Sequence, residues 1–435
     1  MNRGRPPGAP DAARRQWLRA AAVAGLPTLG ACAPSAKDRT LRFWAMGREG
    51  EVVTELLPDF QRENPGLRVR VEQLPWTAAH EKLLTAFAGD ATPDLAQMGN
   101  TWLPEMDALR ALAPLTEWVD TRSAVPAADH FPGIWQTNLI GQRLVGIPWY
   151  VDTRLLFYRS DLLRDAGFDA PPRTWDEWRR MQQALHQGTV RTPMLLPLNE
   201  FEPLLALALQ QGEPLLREGG RFGNFSSAGF RRALGFYLQM FERGWAPPAN
   251  NNEVANVSQE FARGRFAFYI TGPWNIGEFR RRLPAGMQGR WNTAPLPGPD
   301  GPGASTAGGS SLVIFQRSKR KADAARLVEY LCRPTVQQRF YALTGNLPPR
   351  RSSWQAPALA GDPQARAFAE QLERVVPAPA VPEWERIAQE MQQFAERAVR
   401  QGLPVEGITD ALDQRVNGFL EKRRWMLARS GRKTE

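Results

Sequence analysis

The stretch Gly146-Ile147-Pro148-Trp149-Tyr150-Val151-Asp152-Thr153-Arg154-Leu155-Leu156-Phe157-Tyr158-Arg159 decides how the rest of the chain is read. It opens as an apolar run after a glycine. Pro148 interrupts it, because proline offers no N–H to a sheet ladder. Two large aromatics and a carboxylate follow, and a second apolar run starts at Leu155. Two readings fit these residues alone. The chain leaves one sheet here and enters another, with Asp152 facing the seam, or one large sheet carries a bulge.

Upstream, Leu41-Arg42-Phe43-Trp44 and Leu67-Arg68-Val69-Arg70-Val71 alternate as strands, and Asp94 to Met98 is a third. Between them, Val52, Val53, Leu56, Leu57 and Phe60 recur at helical spacing, with Pro58 predicting a kink or a late start. A second helix is expected from Thr77 to Ala88. Strand, helix, strand, helix, strand predicts a parallel sheet, whose ligands sit beyond the carboxyl ends of the strands. Trp44, Arg48 and Glu49 stand at one such end, in a segment expected to be a loop, and Asn100 and Trp102 at another.

Downstream, Thr174 and Glu177 form a helix-opening capping box. Met194 to Leu198 reads as a strand that delivers Glu200. Phe266 to Ile270 is a strand broken by Thr271-Gly272-Pro273-Trp274. Residues 294–307 are rich in Pro and Gly, and Gly308-Gly309 lead into a further strand, Leu312 to Phe315. Helices are expected at Lys321–Cys332 and Thr335–Leu343, and over most of Pro382–Lys422.

The chain has 435 residues, enough for two or more domains, and 43% are hydrophobic, which excludes disorder as the default. Its 15 tryptophans are many, and while core packing accounts for most, some are expected as flat ligand platforms. The formal charge of +10 sits largely at the two ends. Arg3, Arg5, Arg14, Arg15 and Arg19 face only Asp11 at the start. Lys422, Arg423, Arg424, Arg429, Arg432 and Lys433 face Glu421 and Glu435 at the finish. A basic tail of this kind is solvated or rests near an anionic membrane surface. No patterned basic face or nucleic-acid module is present, so nucleic acid is not an expected partner. The two cysteines, Cys32 and Cys332, form no metal-binding spacing, and neither a metal nor a cofactor is expected. Cys332 lies on a helical apolar stripe and reads as a buried small residue.

Residues 1–31 have a basic beginning, a short apolar stretch and small residues before Cys32, the architecture of an export signal. Arg14-Arg15-Gln16-Trp17-Leu18 resembles a twin-arginine signal, and Leu29-Gly30-Ala31-Cys32 resembles a bacterial lipobox. The implied mature protein starts at a lipid-bearing Cys32, held at the membrane by its acyl chains through a tether of residues 32–40.

From about Leu41 to Leu420 the chain resembles the extracellular solute-binding proteins of bacterial ABC importers, in the sugar-binding group. The resemblance rests on Leu41 to Trp44, Thr92-Pro93-Asp94-Leu95, Ile147 to Tyr158, Arg173 to Trp178, Gly264-Arg265-Phe266 to Trp274, and Gly308-Gly309, in that order and spacing. It implies an α/β, two-lobe periplasmic-binding-protein fold of type II with a ligand cleft between the lobes. Residues 41–150 and 309–344 would form one lobe, and 151–308 and 345–435 the other, with crossings near Pro148, Gly308 and Gly345. It further implies an exported monomer that delivers a sugar to permease subunits. Asp152 takes the place of the carboxylate that binds sugar hydroxyls, and Trp274 that of the stacking ring. Trp44, Arg48, Glu49, Asn100, Trp102, Tyr150 and Glu200 match cleft positions, Gly308 and Gly309 bring backbone near the ligand, and Trp384 is a further ring. One departure is evident. Many α-glucoside binders of the group place an arginine where this chain has Ala378.

The chemistry of these residues points the same way. Sugar C–H faces pack on aromatic rings, and hydroxyls need carboxylates, amides and guanidinium groups. An α-glucoside such as maltose or trehalose is the expected ligand. Another polyol, or a sugar phosphate like glycerol 3-phosphate, is the alternative; a phosphorylated ligand would want clustered cations, and only Arg48 and Arg154 stand near these loops. A solute-binding sensor subunit is another use of the same fold. Asp152 and Glu200 could also be drawn as a glycosidase pair. His80, His130 and His186 lie near no nucleophile motif, and no enzymatic activity is expected.

Overall fold

The computed structural model describes residues 39–431 apart from Ser123 and Ala255. The export signal, Cys32 and all but the end of the tether lie outside the described residues.

Strand β1 (Thr40–Met46) turns directly into helix α1 (Gly47–Val52), because Gly47 adopts a positive φ of 48°. Residues 47–52 are therefore helical where a loop is expected. Pro58 sits in the first turn of α2 (Leu57–Glu63), where its missing N–H costs nothing. Strand β2 (Arg68–Leu74), helix α3 (Trp76–Ala88), strand β3 (Leu95–Gly99) and helix α4 (Leu103–Ala108) follow. Next come β4 (Ile147–Val151), β5 (Leu155–Arg159), α5 (Trp175–Gln187) and β6 (Met194–Leu195). Thr174 caps α5 in a full capping box with Glu177. The chain continues through α6 (Glu202–Leu209), α7 (Ala228–Glu242), β7 (Phe268–Thr271), α8 (Trp274–Arg282) and β8 (Trp291–Ala294). The main elements after these are β9 (Ser305–Thr306), β10 (Gly309–Ile314), α9 (Lys321–Leu331), α10 (Pro334–Thr344), α11 (Pro363–Leu372), β11 (Val375–Val376), α12 (Trp384–Gln401), α13 (Val405–Phe419) and α14 (Glu421–Gly431).

Two sheets result. The first runs β2-β1-β3-β10-β4, with β1 parallel to β2 and β3, and β10 antiparallel to both its neighbours. The second runs β8-β5-β7-β6, antiparallel except between β7 and β6. Both are buried on two faces. In β1, Leu41, Phe43 and Ala45 enter one core with Val53, Leu56 and Leu327, while Trp44 and Met46 enter another with Leu83 and Met106. In β5, Leu156 joins Trp178 and Phe268, whereas Leu155 and Phe157 join Phe279 and Phe368. This is the period-2 alternation of strands.

The opening stretch passes from one sheet to the other, so it is not part of one large sheet, though a bulge is also present. Pro148 is tolerated because β4 is an edge strand, and the register against β10 slips between Ser310 and Ser311, a bulge opposite residues 148–150. The crossing itself comes after Val151, over Asp152-Thr153-Arg154, and not at Pro148. The chain returns between β9 and β10. It crosses once more at Gly345, the left-handed cap of α10, after which Leu347 bridges to Val151. Cys332 is fully buried, and burial pushes its thiol up to about 12.

Candidate functional site

A cavity of about 540 Å³ opens where these crossings meet. From the first sheet come Glu49 at the start of α1 and the segment Asn100–Trp102 after β3. Tyr150 lies at the end of β4. From the second sheet come Trp274 at the start of α8, Phe201 and Glu202 at the start of α6, and Glu385 at the start of α12. Asp152, Arg154, Ala307 and Gly308 belong to the crossings themselves, and Asn346 and Ala378 complete the wall. Most wall residues stand at the end of a strand or the start of a helix, because there the backbone turns and exposes its side chains.

Arg154 organises the polar part. It is only 6% exposed. Its guanidinium bonds the Asp152 carboxylate through Nη1 and Glu202 Oε1 through Nη2 at 2.7 Å, and its Cζ lies 4.7 Å from the centre of the Trp274 ring. Burial raises the Asp152 carboxyl above its ordinary range, with Glu202, Glu200 and Glu49 adding to the rise and Arg154 opposing it. Glu49 is likewise raised by burial, against donors that include Asn346, whose Nδ2 donates to Glu49 Oε1 at 2.6 Å. Asn100 donates through Nδ2 to the Ala307 carbonyl at 2.7 Å, tying the end of β3 to the second crossing. Tyr150 Oη accepts from Gln97 Nε2 at 3.1 Å and from Ser310 Oγ at 3.0 Å. Burial raises Glu385, whose Oε1 is buried without a hydrogen-bond partner in the structure.

The apolar part is made of indoles. Trp76 and Trp102 meet edge to face at 5.8 Å, and Trp76 and Trp274 are each 36% exposed. Each of the three rings lies against a glycine. A Cβ added at Gly47 would reach Trp76 Cδ1 at 2.9 Å, one at Gly99 would reach Trp102 Cε2 at 3.2 Å, and one at Gly272 would reach Trp274 Cζ3 at 1.9 Å.

Glu49, Asn100, Trp102, Tyr150, Asp152, Trp274, Gly308 and Gly309 therefore come together around one cavity. Four other expected residues do not. Trp44 points into the core beneath α3, because the strand alternation that sends Phe43 to one face sends Trp44 to the other. Arg48 points outward and pairs with Glu51 at 3.0 Å. Glu200 accepts from Asn251 Nδ2 at 2.6 Å and acts on Asp152 only through its charge. Trp384 is buried in the core of α12, and its edge reaches a smaller neighbouring cavity of about 240 Å³. The two glycines are required by backbone: a Cβ at Gly308 would lie 2.2 Å from the Asp152 carbonyl oxygen and one at Gly309 2.3 Å from that of Tyr150.

Trp76, Glu202, Asn346 and Glu385 also line the cavity. Glu202 carried a signal, an acid opening a helix just after a strand, where a helix dipole favours it. Asn346 and Glu385 arrive from segments far downstream of the opening stretch, with no local pattern to mark them.

The same architecture is found in known proteins. Residues 46–338 match the family of bacterial extracellular solute-binding proteins. The chain belongs to that family. The structure of the sugar-binding protein MalE from Xanthomonas citri is 54% identical, with a TM-score of 0.87 over 89% of this chain and 99% of that one. A solute-binding protein of an ABC transporter from Thermotoga lettingae, bound with α-D-tagatose, is 26% identical with a TM-score of 0.75 over 88% and 100%. A probable ABC transporter-binding protein of Deinococcus radiodurans is 29% identical over 347 residues, 73% of this chain and 78% of its own. The fold is thus the two-lobe, type II periplasmic-binding-protein fold, and the family is one of solute binding outside the cytoplasm.

Proposed function

We propose that this chain is the sugar-binding component of an ABC importer, that it holds an uncharged saccharide in the cavity between its lobes, and that it presents it to permease subunits. The observation that carries the reading is the pairing of three indoles with the Asp152–Arg154–Glu202 ion triad in one cavity. Rings supply flat surfaces for sugar C–H faces, and the triad with Asn100, Asn346 and Glu49 supplies acceptors and donors for hydroxyls. The likeness to a sugar-binding MalE and to a tagatose-bound receptor supports the same class.

The ligand is neutral on this reading. Four carboxylates, Glu49, Asp152, Glu202 and Glu385, line the cavity against one guanidinium, and Asp152 and Glu202 already hold that guanidinium. A phosphorylated ligand would meet repulsion and no free cation. An α-glucoside such as maltose or trehalose is the first candidate. Ala378 lines the wall where many α-glucoside binders carry an arginine, so the hydrogen bonds to such a sugar fall to Arg154 and the carboxylates. Anchoring of the exported protein through Cys32, after a twin-arginine signal, completes the proposal and places the cavity outside the cytoplasm.

Thermal unfolding with a panel of neutral mono- and disaccharides, sugar phosphates and glycerol phosphate tests the ligand class. A bound sugar at a hundredfold over its Kd stabilises by about 2.7 kcal/mol. Stabilisation by the phosphates alone, or product release from a glycoside, would overturn the reading.

A further inference from the structure

The last three helices form a surface with a character of its own. On α14, Lys422, Trp425, Met426 and Arg429 are exposed and follow one another at i, i+3, i+4 and i+7, so they share one face. Trp425 is 58% and Met426 52% exposed, the two most exposed large apolar side chains among the described residues. Beside this face an open groove of about 800 Å³ runs between α12, α13 and α14, rimmed by three cations, Arg386, Arg415 and Lys422, and one acid, Glu421, around Phe419.

The arginines of this surface lie on aromatic rings. The Arg386 Cζ is 3.7 Å and the Arg415 Cζ 4.8 Å from the Phe419 ring centre. Arg397 stands 3.9 Å from Phe394 and Arg429 4.5 Å from Trp425. Of these, Arg415 is also paired with Glu390 at 2.9 Å, as most guanidinium groups elsewhere are paired with carboxylates, Arg154, Arg159 and Arg350 among them. Among the described residues no carboxylate within 4.0 Å pairs with Arg386, Arg397, Lys422 or Arg429. Stacking fixes the plane of a guanidinium while leaving its N–H edge free, the arrangement that suits a phosphate oxygen. Cations flanking an exposed indole and thioether match a bilayer surface, where phosphates meet the cations and the apolar groups enter the boundary with the acyl chains.

We propose that the face formed by α12, α13 and α14 docks on an anionic lipid bilayer, with its unpaired cations at headgroup phosphates and Trp425 and Met426 in the interfacial layer. The charge complementarity of this face, with Arg432 and Lys433 continuing the basic sequence beyond it, favours a lipid surface as its occupant.

The test uses the full chain carrying Cys32→Ser, so that no acyl chain contributes. Co-sedimentation is measured with vesicles of phosphatidylglycerol in phosphatidylcholine and with vesicles of phosphatidylcholine alone. Partition onto the anionic vesicles and not the neutral ones is expected, weakening steeply as salt is raised. Each cation near the surface contributes about 1 kcal/mol, so Lys422→Gln and Arg429→Gln should each lower the partition coefficient about fivefold. Trp425→Ala should lower it without changing the salt dependence. All variants should keep the parent's thermal unfolding, since the altered groups are exposed. Equal partition onto both vesicle types, partition onto neither, or anionic partition that these variants leave unchanged would each overturn the proposal.

Discussion

The indole of Trp274 lies against Gly272, so close that a single methyl group at 272 would stand 1.9 Å from Cζ3 and 2.3 Å from Cη2 of the ring. Gly272→Ala must therefore displace the ring. Trp274 is 36% exposed, so it has solvent to move into and the fold should lose only about 1 kcal/mol. Its contact with Arg154 would be lost. Sugar affinity should drop about tenfold or more by calorimetry while the melting temperature changes little. Unchanged affinity would remove Trp274 from the binding surface.

Arg154 separates two carboxylates that would otherwise face each other across a buried space. Arg154→Met keeps the volume but strands Asp152 and Glu202. Breaking such a pair costs about 3–5 kcal/mol when fully buried; with the Asp152 and Glu202 side chains 34% and 27% exposed, about 2 kcal/mol is expected. Denaturant unfolding reads this directly. Adding Glu202→Gln to the variant should restore part of the loss, and a double variant no better than the single would show that repulsion is not its source.

Asp152→Asn keeps the shape of the side chain and removes its charge. Arg154 remains bound to Glu202, so stability should be nearly unchanged, whereas sugar affinity should fall about 10- to 100-fold through loss of a charged acceptor. Titration calorimetry against an unfolding control separates the two effects. A large stability loss with affinity intact would make Asp152 a structural residue.

Gly309 holds φ of 144°, and its would-be Cβ meets the Tyr150 carbonyl oxygen at 2.3 Å. That oxygen is backbone and cannot swing away. Gly309→Ala should destabilise by about 3 kcal/mol or more, seen as a lowered midpoint in urea. A near-neutral result would mean that the β4–β10 junction yields more readily than its geometry implies.

His130 provides a pH dependence. It is 1% exposed, Nδ1 faces the Pro126 carbonyl at 3.0 Å, and burial pushes its pKa down from 6.5 to about 4. The unfolded chain then takes up a proton between pH 6.5 and 4 that the folded chain refuses. Stability is unaffected by this group above pH 6.5 and is lost progressively as pH falls to 4, by about 3 kcal/mol in total. His130→Gln should lack that part of the slope, whatever its stability at neutral pH. Parallel curves for the two proteins across this window would show that His130 titrates alike in both states.

Much of the fold was legible locally. Alternating apolar residues marked β1 and β2, Pro58 marked a kink or a late helix start, and Thr174 with Glu177 marked the opening of α5. These features rest on neighbours a few residues apart. Strand order was not legible, because β10 enters the first sheet antiparallel from more than two hundred residues downstream of β3. Trp44 shows the limit most clearly. Its position at the carboxyl end of a strand was readable, but which of two buried faces it takes depends on what covers each face. Trp76 was missed for the converse reason. It opens a helix, a common place for a structural residue, and only Gly47 and Trp102 bring it to the cavity.

The opening stretch contained the essentials of the site. Its own residues left a change of sheet and a bulged strand as alternatives, and supplied the acid and the cation that lie at the crossing. Tertiary structure decided what that acid does. Asp152 and Arg154 are two residues apart, but Glu202, Trp274, Asn346 and Glu385 reach them only when three crossings of the chain are drawn together. Burial then raises the carboxyls of Asp152 and Glu385. A sequence specifies which groups are available; the distances and the dielectric that set their interactions exist only once the lobes are assembled.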